Sequence, residues 1–417
     1  MTDSNKVQDH IDSSELNSLD LDDEPSLESR ALADSYGVKL DSKGMPINAF
    51  NLFEFAGSFG DLGILIPFIV GYISIVGLHP QGVVLAFALA LIGTGIYYKT
   101  PVPVQPMKAI GGAAIATPGL SAGAVYGASL FTGIFWLIAG RFKQIQRIRN
   151  FVSKPVLRGI MFGLGFVLIT QSFTYIKDNY ILAFIGIFII FALVTSKRIP
   201  AMLVLLIVGA IAAIILNQDL LSQIISIRPK FTIPQFSLPE ITLSDLAYGT
   251  VILALPQIPL TLGNAVIAIV EENNRLFSYR KIDESQIATS KGIINILAAA
   301  IGGVPMCHGA GGMAAHIRYG AHTGGATIIL GLILLVLALF FSDSILILTE
   351  LFPKAFLGVI LLFAGIELAM SSRDVPREKS LFYLFLVTAA FSILNVALGF
   401  IVGVILQTLI QKEILYL

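Results

Sequence analysis

The chain has one cysteine, Cys307, among 417 residues. No intramolecular disulfide can form, so none braces the fold. Charge is also scarce. Only 13% of residues are Asp, Glu, Lys or Arg, against about 25% in a soluble domain. That is too little to coat a water-facing surface of this length. No basic stretch followed by an apolar run opens the chain, so no secretory signal is expected. No nucleotide-binding motif appears, which argues against an ATP-driven pump. His308 and His316 have no surrounding Cys, Asp or Glu set, so neither metal nor cofactor is expected. With net charge +0, no nucleic-acid partner is expected either.

Apolar residues are abundant, at 55% with a mean hydropathy of +0.83. They come in blocks near 54–77, 81–98, 103–118, 121–140, 156–176, 180–195, 200–216, 246–270, 286–301, 303–317, 323–342, 354–371, 380–395 and 397–411. A spanning helix needs roughly 20 apolar residues. The pattern predicts an all-α, multi-pass membrane protein of about fourteen segments embedded in a lipid bilayer. Basic residues alternate between connections as the positive-inside rule requires when both termini are cytoplasmic. Arg141, Lys143, Arg147, Arg149, Lys154 and Arg158 fall in one inside loop, and Arg275, Arg280, Lys281 and Lys291 in another.

Residues 1–50 stand apart. They hold 11 acids against Lys6, Arg30, Lys39 and Lys43 and lack a periodic apolar face. They read as a disordered acidic cytosolic tail. The remainder divides into 51–216, an extramembrane loop at 217–245, and 246–417.

The two halves repeat. Pro106-Met107 precedes Gly111-Gly112 and Ala113-Ala114, and Pro305-Met306 precedes Gly311-Gly312 and Ala314-Ala315, at an offset of 199. Pro155 and Pro353 repeat at 198. An odd number of spans per half, seven, inverts the second half. Inverted repeats with paired interrupted helices point to a transporter site at mid-membrane.

The interruptions carry the chemistry. Pro101, Pro103 and Pro106 remove donors and force extended backbone, so Gln105 and Pro106 should lead into a half-helix from Met107. Gly302 to Gly309 should do the same for a second half-helix. Each such N-terminus offers free N–H groups and a partial positive charge, which suits an anion. The glycines, Gly309 and Gly311 above all, let an oxyanion approach backbone. A bulky residue at Gly331, away from the site, is expected to be milder. Lys108 sits in the first turn of a half-helix, where the helix dipole disfavours a cation. It either neutralises an anion or snorkels to the interface. Asp61 is the one acid between Phe55 and Tyr98, a functional candidate by default or else a cap for the break at Gly60 and Gly63. Gln257, Thr261 and Asn264 are neutral groups suited to oxyanion oxygens or to helix packing. Cys307 and His308 are adjacent and lack a third orienting group, so catalysis is not expected.

Four strings are distinctive: Gly57-Ser58-Phe-Gly-Asp61-Leu-Gly63, Pro103-Val-Gln-Pro-Met-Lys-Ala109, Leu255-Pro-Gln-Ile-Pro-Leu260 and Val304-Pro-Met-Cys-His-Gly-Ala-Gly-Gly312. From about Asn51 onward the chain resembles the molybdate transporter family, a branch related to the SulP sulfate permeases. The resemblance implies the inverted seven-plus-seven fold shared with uracil permeases. It implies a core of spans 1–4 and 8–11 moving against a gate of spans 5–7 and 12–14, often in a homodimer. It also implies anion binding between spans 3 and 10, flanked by spans 1 and 8. Ser58, Asp61, Gln105, Lys108, Gln257, Thr261, Asn264, Cys307, His308, Gly309 and Gly311 are the expected binding residues. The chain ends near Leu417, with no room for the STAS domain of many sulfate permeases, which favours the molybdate branch. The expectation is a secondary transporter of molybdate in the cell membrane, with the proton as candidate co-substrate. The alternatives are sulfate transport and an anion channel on the same scaffold. An enzyme is not expected.

Overall fold

The computed structural model describes residues 27–117, 119–142, 145, 152–193, 196, 201–234, 240–370, 372–375, 378–412 and 414–415. Lys143, Arg147, Arg149 and most of the acidic stretch, residues 1–26, lie outside the described residues. The chain is mostly helical. It runs through α1 (Leu27–Ser35), α2 (Leu52–Ser58), α3 (Leu62–Ser74), α4 (Pro80–Tyr98), β1 (Gln105–Pro106), α5 (Lys108–Ala116), α6 (Ala122–Arg141), α7 (Lys154–Ile176), α8 (Tyr180–Leu193), α9 (Ala201–Leu216) and α10 (Gln218–Ser226). It continues through α11 (Leu243–Leu276), α12 (Glu284–Ala300), β2 (Met306–Cys307), α13 (Ala310–Arg318), α14 (Gly325–Phe340), α15 (Ile345–Glu350), α16 (Lys354–Met370), α17 (Lys379–Leu394) and α18 (Val396–Gln411).

Every apolar block read from the sequence contains one of these helices. Among the described residues, α4, α6, α7 and α11 are each long and apolar enough to cross a membrane. The bent pairs α2–α3, α9–α10 and α14–α15 pass the same test when taken together.

Three apolar clusters hold the molecule. The first joins α3, α4 and α14 through Leu65, Phe68, Phe87, Leu91 and Leu330. The second joins α6, α11 and α12 through Trp136, Val266, Ile269 and Ile287. The third is built almost wholly from α7–α9 and α16–α18, with Leu164, Leu168, Phe356 and Ile360 at its centre. Helix axes approach closely where glycine allows it. A Cβ on Gly165 of α7 would stand 2.6 Å from the Gly365 carbonyl of α16, and the reverse holds equally. Gly331 is another such contact, because a Cβ there would meet the Ala88 carbonyl of α4 at 2.8 Å. A bulky residue there, expected from sequence to be milder than one at the site, therefore carries a packing cost of its own.

Two further expectations need correction. Residues 27–50 are not a disordered tail. Ala33 and Val38 are buried in the second cluster. Tyr36 stacks on His322 with ring centroids 4.5 Å apart. Burial in that loop holds the His322 imidazole below its ordinary pKa. Lys291 is not a loop lysine either; it lies in α12 and is fully buried. Residues 217–245 hold α10 and a segment that binds the end of α14, with the Lys230 N–H donating to the Phe340 carbonyl at 2.9 Å.

α11 carries Pro256 and Pro259, each lacking the N–H that an α-helix needs. The helix responds with π-helical turns at Gly249–Ala254 and Gly263–Ile267. The most unusual feature is a two-residue antiparallel ladder between β1 and β2, pairing Gln105 with Cys307 and Pro106 with Met306. Pro106 cannot donate, and the Met107 N–H reaches the Pro305 carbonyl instead, at 2.9 Å. The Asn295 side chain of α12 completes β2. It accepts from the Met306 N–H and donates to the Met306 carbonyl, each at 2.8 Å.

Asn295→Leu should therefore strand a buried donor and acceptor on β2. A loss of roughly 2–4 kcal/mol is expected, read as a lower melting temperature of the purified protein in detergent. Wild-type melting would mean that Asn295 is not what secures the ladder.

Candidate functional site

β1 and β2 lie side by side, and each leads directly into a nine-residue helix, α5 or α13. Because the ladder is antiparallel, the two helices start close together and run apart. Neither has a side-chain N-cap: Met107 and Gly309 precede them in extended conformation. The free N–H groups and positive ends of both helices thus face one small region.

Part of this donor supply is already used. The Met107 N–H is committed to Pro305. Gln257 of α11 accepts from the Ala109 N–H at 2.8 Å, and its own amide donates to Thr261 Oγ1 at 2.9 Å. Gln257 and Thr261 therefore hold the first turn of α5 in place. Asn264 differs. It sits in a π turn of α11 and its Nδ2 lies 3.5 Å from where a Cβ on Gly309 would stand.

Asp61 ends the 3-10 turn that bends α2 from α3 by 44°. Its carboxylate makes no capping bond to α3. Instead Oδ1 accepts from Gln105 Nε2 at 2.5 Å. The capping role considered from sequence is thus not the one the carboxylate takes. Gln105 is buried, and its Oε1 has no donor. That oxygen points at Gly309, where an added Cβ would overlap it. Gly312 is just as constrained: a Cβ there would meet Gln105 Nε2 at 2.6 Å and Asp61 Oδ2 at 2.9 Å. Lys108 is half-buried at the start of α5, and its charge reaches Asp61 and Cys307.

A cavity of about 340 Å³ opens beside this constellation. Asp61, Gly311 and Arg318 line it, with Ile360, Phe363 and Glu367 of α16. Glu367 of α16 is the residue nearest a Cβ on Gly311, with Oε1 at 3.9 Å. A larger cavity of about 750 Å³, near His79 and Asp343, contains none of the expected binding residues.

Ser58 and His308 hydrogen-bond to the scaffold. Ser58 donates to the Phe55 carbonyl of its own helix at 2.7 Å. His308 is fully engaged in the scaffold. Nδ1–H donates to the Pro103 carbonyl at 2.8 Å, and Nε2 accepts from Ser290 Oγ at 3.0 Å. Cys307 is buried, with its Sγ 4.0 Å from the Pro106 carbonyl.

Sequence reasoning missed several residues. Glu54 lies just before the Phe55–Tyr98 stretch and binds three backbone N–H groups at the start of α14, those of His322, Thr323 and Ala326. Its polarity within an apolar run was the available signal. Gly312, Lys291 and Glu367 were missed as well. Their roles depend on contacts between distant segments, and spacing along the chain does not reveal them.

A family model described as molybdate transporter of the MFS superfamily matches residues 53–168 and 249–368. These two stretches contain all the expected binding residues. Molybdate transporter 2 of Arabidopsis thaliana is 29% identical over 414 residues, covering 87% of this chain and 88% of that protein. Molybdate transporter 1 of the same plant is 26% identical over 406 residues, covering 86% and 88%. Among solved structures, the transmembrane domain of the cyanobacterial bicarbonate transporter BicA aligns with a TM-score of 0.61 at 16% identity, over 85% of this chain and 97% of that one. The murine Slc26a9 anion transporter in its inward-facing state aligns with a TM-score of 0.63 at 15% identity, over 88% and 69%. These likenesses establish the fold.

Gly309→Val should drive a side chain into Gln105 and separate it from Asp61. Binding of a tetrahedral oxyanion, measured by calorimetry in detergent, should fall below detection while the protein still purifies as one folded species. Wild-type affinity in this variant would remove the strand pair from the site.

Proposed function

Since the chain belongs to the family of molybdate transporters, we propose that it is a secondary active transporter that binds molybdate between the first turns of α5 and α13. The observation that carries this reading is the meeting of two uncapped helix N-termini across the β1–β2 ladder. A dianion leaves water only where dense compensation replaces its hydration. Backbone N–H groups, the charge of Lys108 and the amide of Asn264 supply that compensation here. In this reading Ser58, Gln257, Thr261, Cys307 and His308 shape the site and do not contact the anion.

The fourteen helix-bearing blocks and the antiparallel pairing of motifs 199 residues apart support fourteen spans in two inverted halves. The separate third cluster supports a gate formed by α7–α9 and α16–α18 against a core that holds the site. The cavity between these bodies is where a moving core would exchange its anion with water. We assign both termini to the cytoplasm of a cell membrane on the distribution of basic residues, and a homodimer on family resemblance alone.

The Asp61–Gln105 contact supports proton coupling. An ionised carboxylate accepts only, so it holds Gln105 Nε2 toward itself and turns Oε1 toward Gly309. That oxygen opposes an anion. A protonated Asp61 can donate to Oε1, which lets the amide rotate and present its N–H groups to molybdate. Proton and anion then bind with positive cooperativity. The charged groups in reach of Asp61 are Lys108 and Glu367. Arg318 lines the same cavity.

The direct test is uptake of labelled molybdate into proteoliposomes. Saturable uptake that a gradient drives uphill is expected, with competition by tungstate but not uracil. Flux that neither saturates nor runs uphill would mean a channel, and stronger competition by sulfate than by molybdate would mean a sulfate transporter. Lys108→Ala should weaken molybdate binding about tenfold or more, or ~1.4 kcal/mol, with little change in melting temperature.

Wild-type affinity should rise as pH falls and Asp61 takes up its proton. Asp61→Asn should remove that dependence, keep binding, and lose uptake driven by a pH gradient. An unchanged pH profile in Asp61→Asn would make the acid purely structural.

A further inference from the structure

Lys291 lies on α12, does not line the cavity of Asp61 and Glu367, and no part of it reaches solvent. Its Nζ donates to the Ala265 carbonyl at 2.8 Å and stands 4.9 Å from the centre of the Trp136 ring. Among the described residues no carboxylate lies within 4 Å of it. An ammonium group in such surroundings is costly and marks function more often than packing. Packing does not explain it, because a neutral amide would satisfy the Ala265 carbonyl equally well.

Its surroundings point toward the site. Ala265 follows Asn264 in the π turn that brings Asn264 to Gly309. Asn295, one turn further along α12, binds the Lys291 carbonyl and both polar groups of Met306. The titratable groups that face Lys291 are Cys307 and His308, both on the β2 side. Cys307, the residue that pairs with Gln105 in the ladder, is thus within electrostatic reach of two lysines, Lys108 half-buried and Lys291 wholly buried.

Resting on the oxyanion reading above, we infer that Lys291 is a second cation of the site, a positioning residue that acts through the β2 backbone without touching the anion. Its charge offsets one of the two negative charges of a bound tetrahedral dianion. A buried cation of this kind selects by charge as well as by shape.

The test compares molybdate with perrhenate, a tetrahedral oxyanion of similar size and single charge. Affinities are measured by calorimetry on the full chain in detergent. Lys291→Gln keeps a donor for the Ala265 carbonyl and removes the charge. It should lower the ratio of molybdate to perrhenate affinity at least about tenfold, or ~1.4 kcal/mol of charge-specific binding. Lys291→Arg should keep the ratio near wild type. Equal weakening of both anions in Lys291→Gln would make the residue part of the scaffold and overturn the inference. Failure of both Lys291→Gln and Lys291→Met to fold, with Lys291→Arg folded, would do the same by assigning the charge to stability. If wild type binds neither anion, the oxyanion reading falls and this inference falls with it. If wild type binds molybdate and the ratio does not move, only this inference falls.

Discussion

In the proposed reading, removing a doubly charged anion from water is the constraint on which the rest of this structure depends. The cost is many kcal/mol unless fixed dipoles and charges replace the hydration shell. A continuous helix has no spare donors at mid-span, so the backbone must be interrupted where the anion sits. Interrupted backbone inside a membrane survives only where its polar groups are satisfied by protein or by a wet cavity. The β1–β2 ladder, the Asn295 side chain and the Met107–Pro305 bond meet that requirement here. Two short helices can then begin in the interior with their N–H groups still available.

Around that ladder the side chains divide into those that hold it and those that face the anion. Asn295, Gln257 and His308 each make two or more hydrogen bonds to the scaffold. Gln105 Oε1, by contrast, is buried and unpartnered. An unsatisfied buried acceptor is uncommon and calls for an explanation. The proton-dependent turn of the amide proposed above would supply one. The glycines follow the same division: Gly312 gives room to the Asp61–Gln105 pair, whereas Gly311 opens on the cavity toward Glu367.

Much of this could be read in the sequence, for local reasons. Pro101, Pro103 and Pro106 dictate extended backbone wherever they occur, and Gly-Gly pairs after Pro-Met mark where each helix begins. The apolar blocks register as helices because lipid permits little else. What depended on tertiary contact could not be read. Lys291 looked like a loop lysine because the block at 286–301 begins only a few residues earlier, and its burial depends on Trp136 and Ala265 from other helices. Nothing local reveals that Gln257 accepts from the Ala109 N–H at 2.8 Å. Residues 27–50 looked unstructured because their acidic composition hides the two positions, Ala33 and Val38, that reach the core.

The central claim is that the anion sits between the two half-helix N-termini. A structure of the full chain with molybdate bound tests it most directly, because the metal centre scatters strongly and its position needs no interpretation. The account predicts density in contact with the first-turn N–H groups of α5 and α13, beside Asn264 and the Gln105 amide. Density in the larger cavity near His79 and Asp343, or anywhere away from both helix starts, would contradict it.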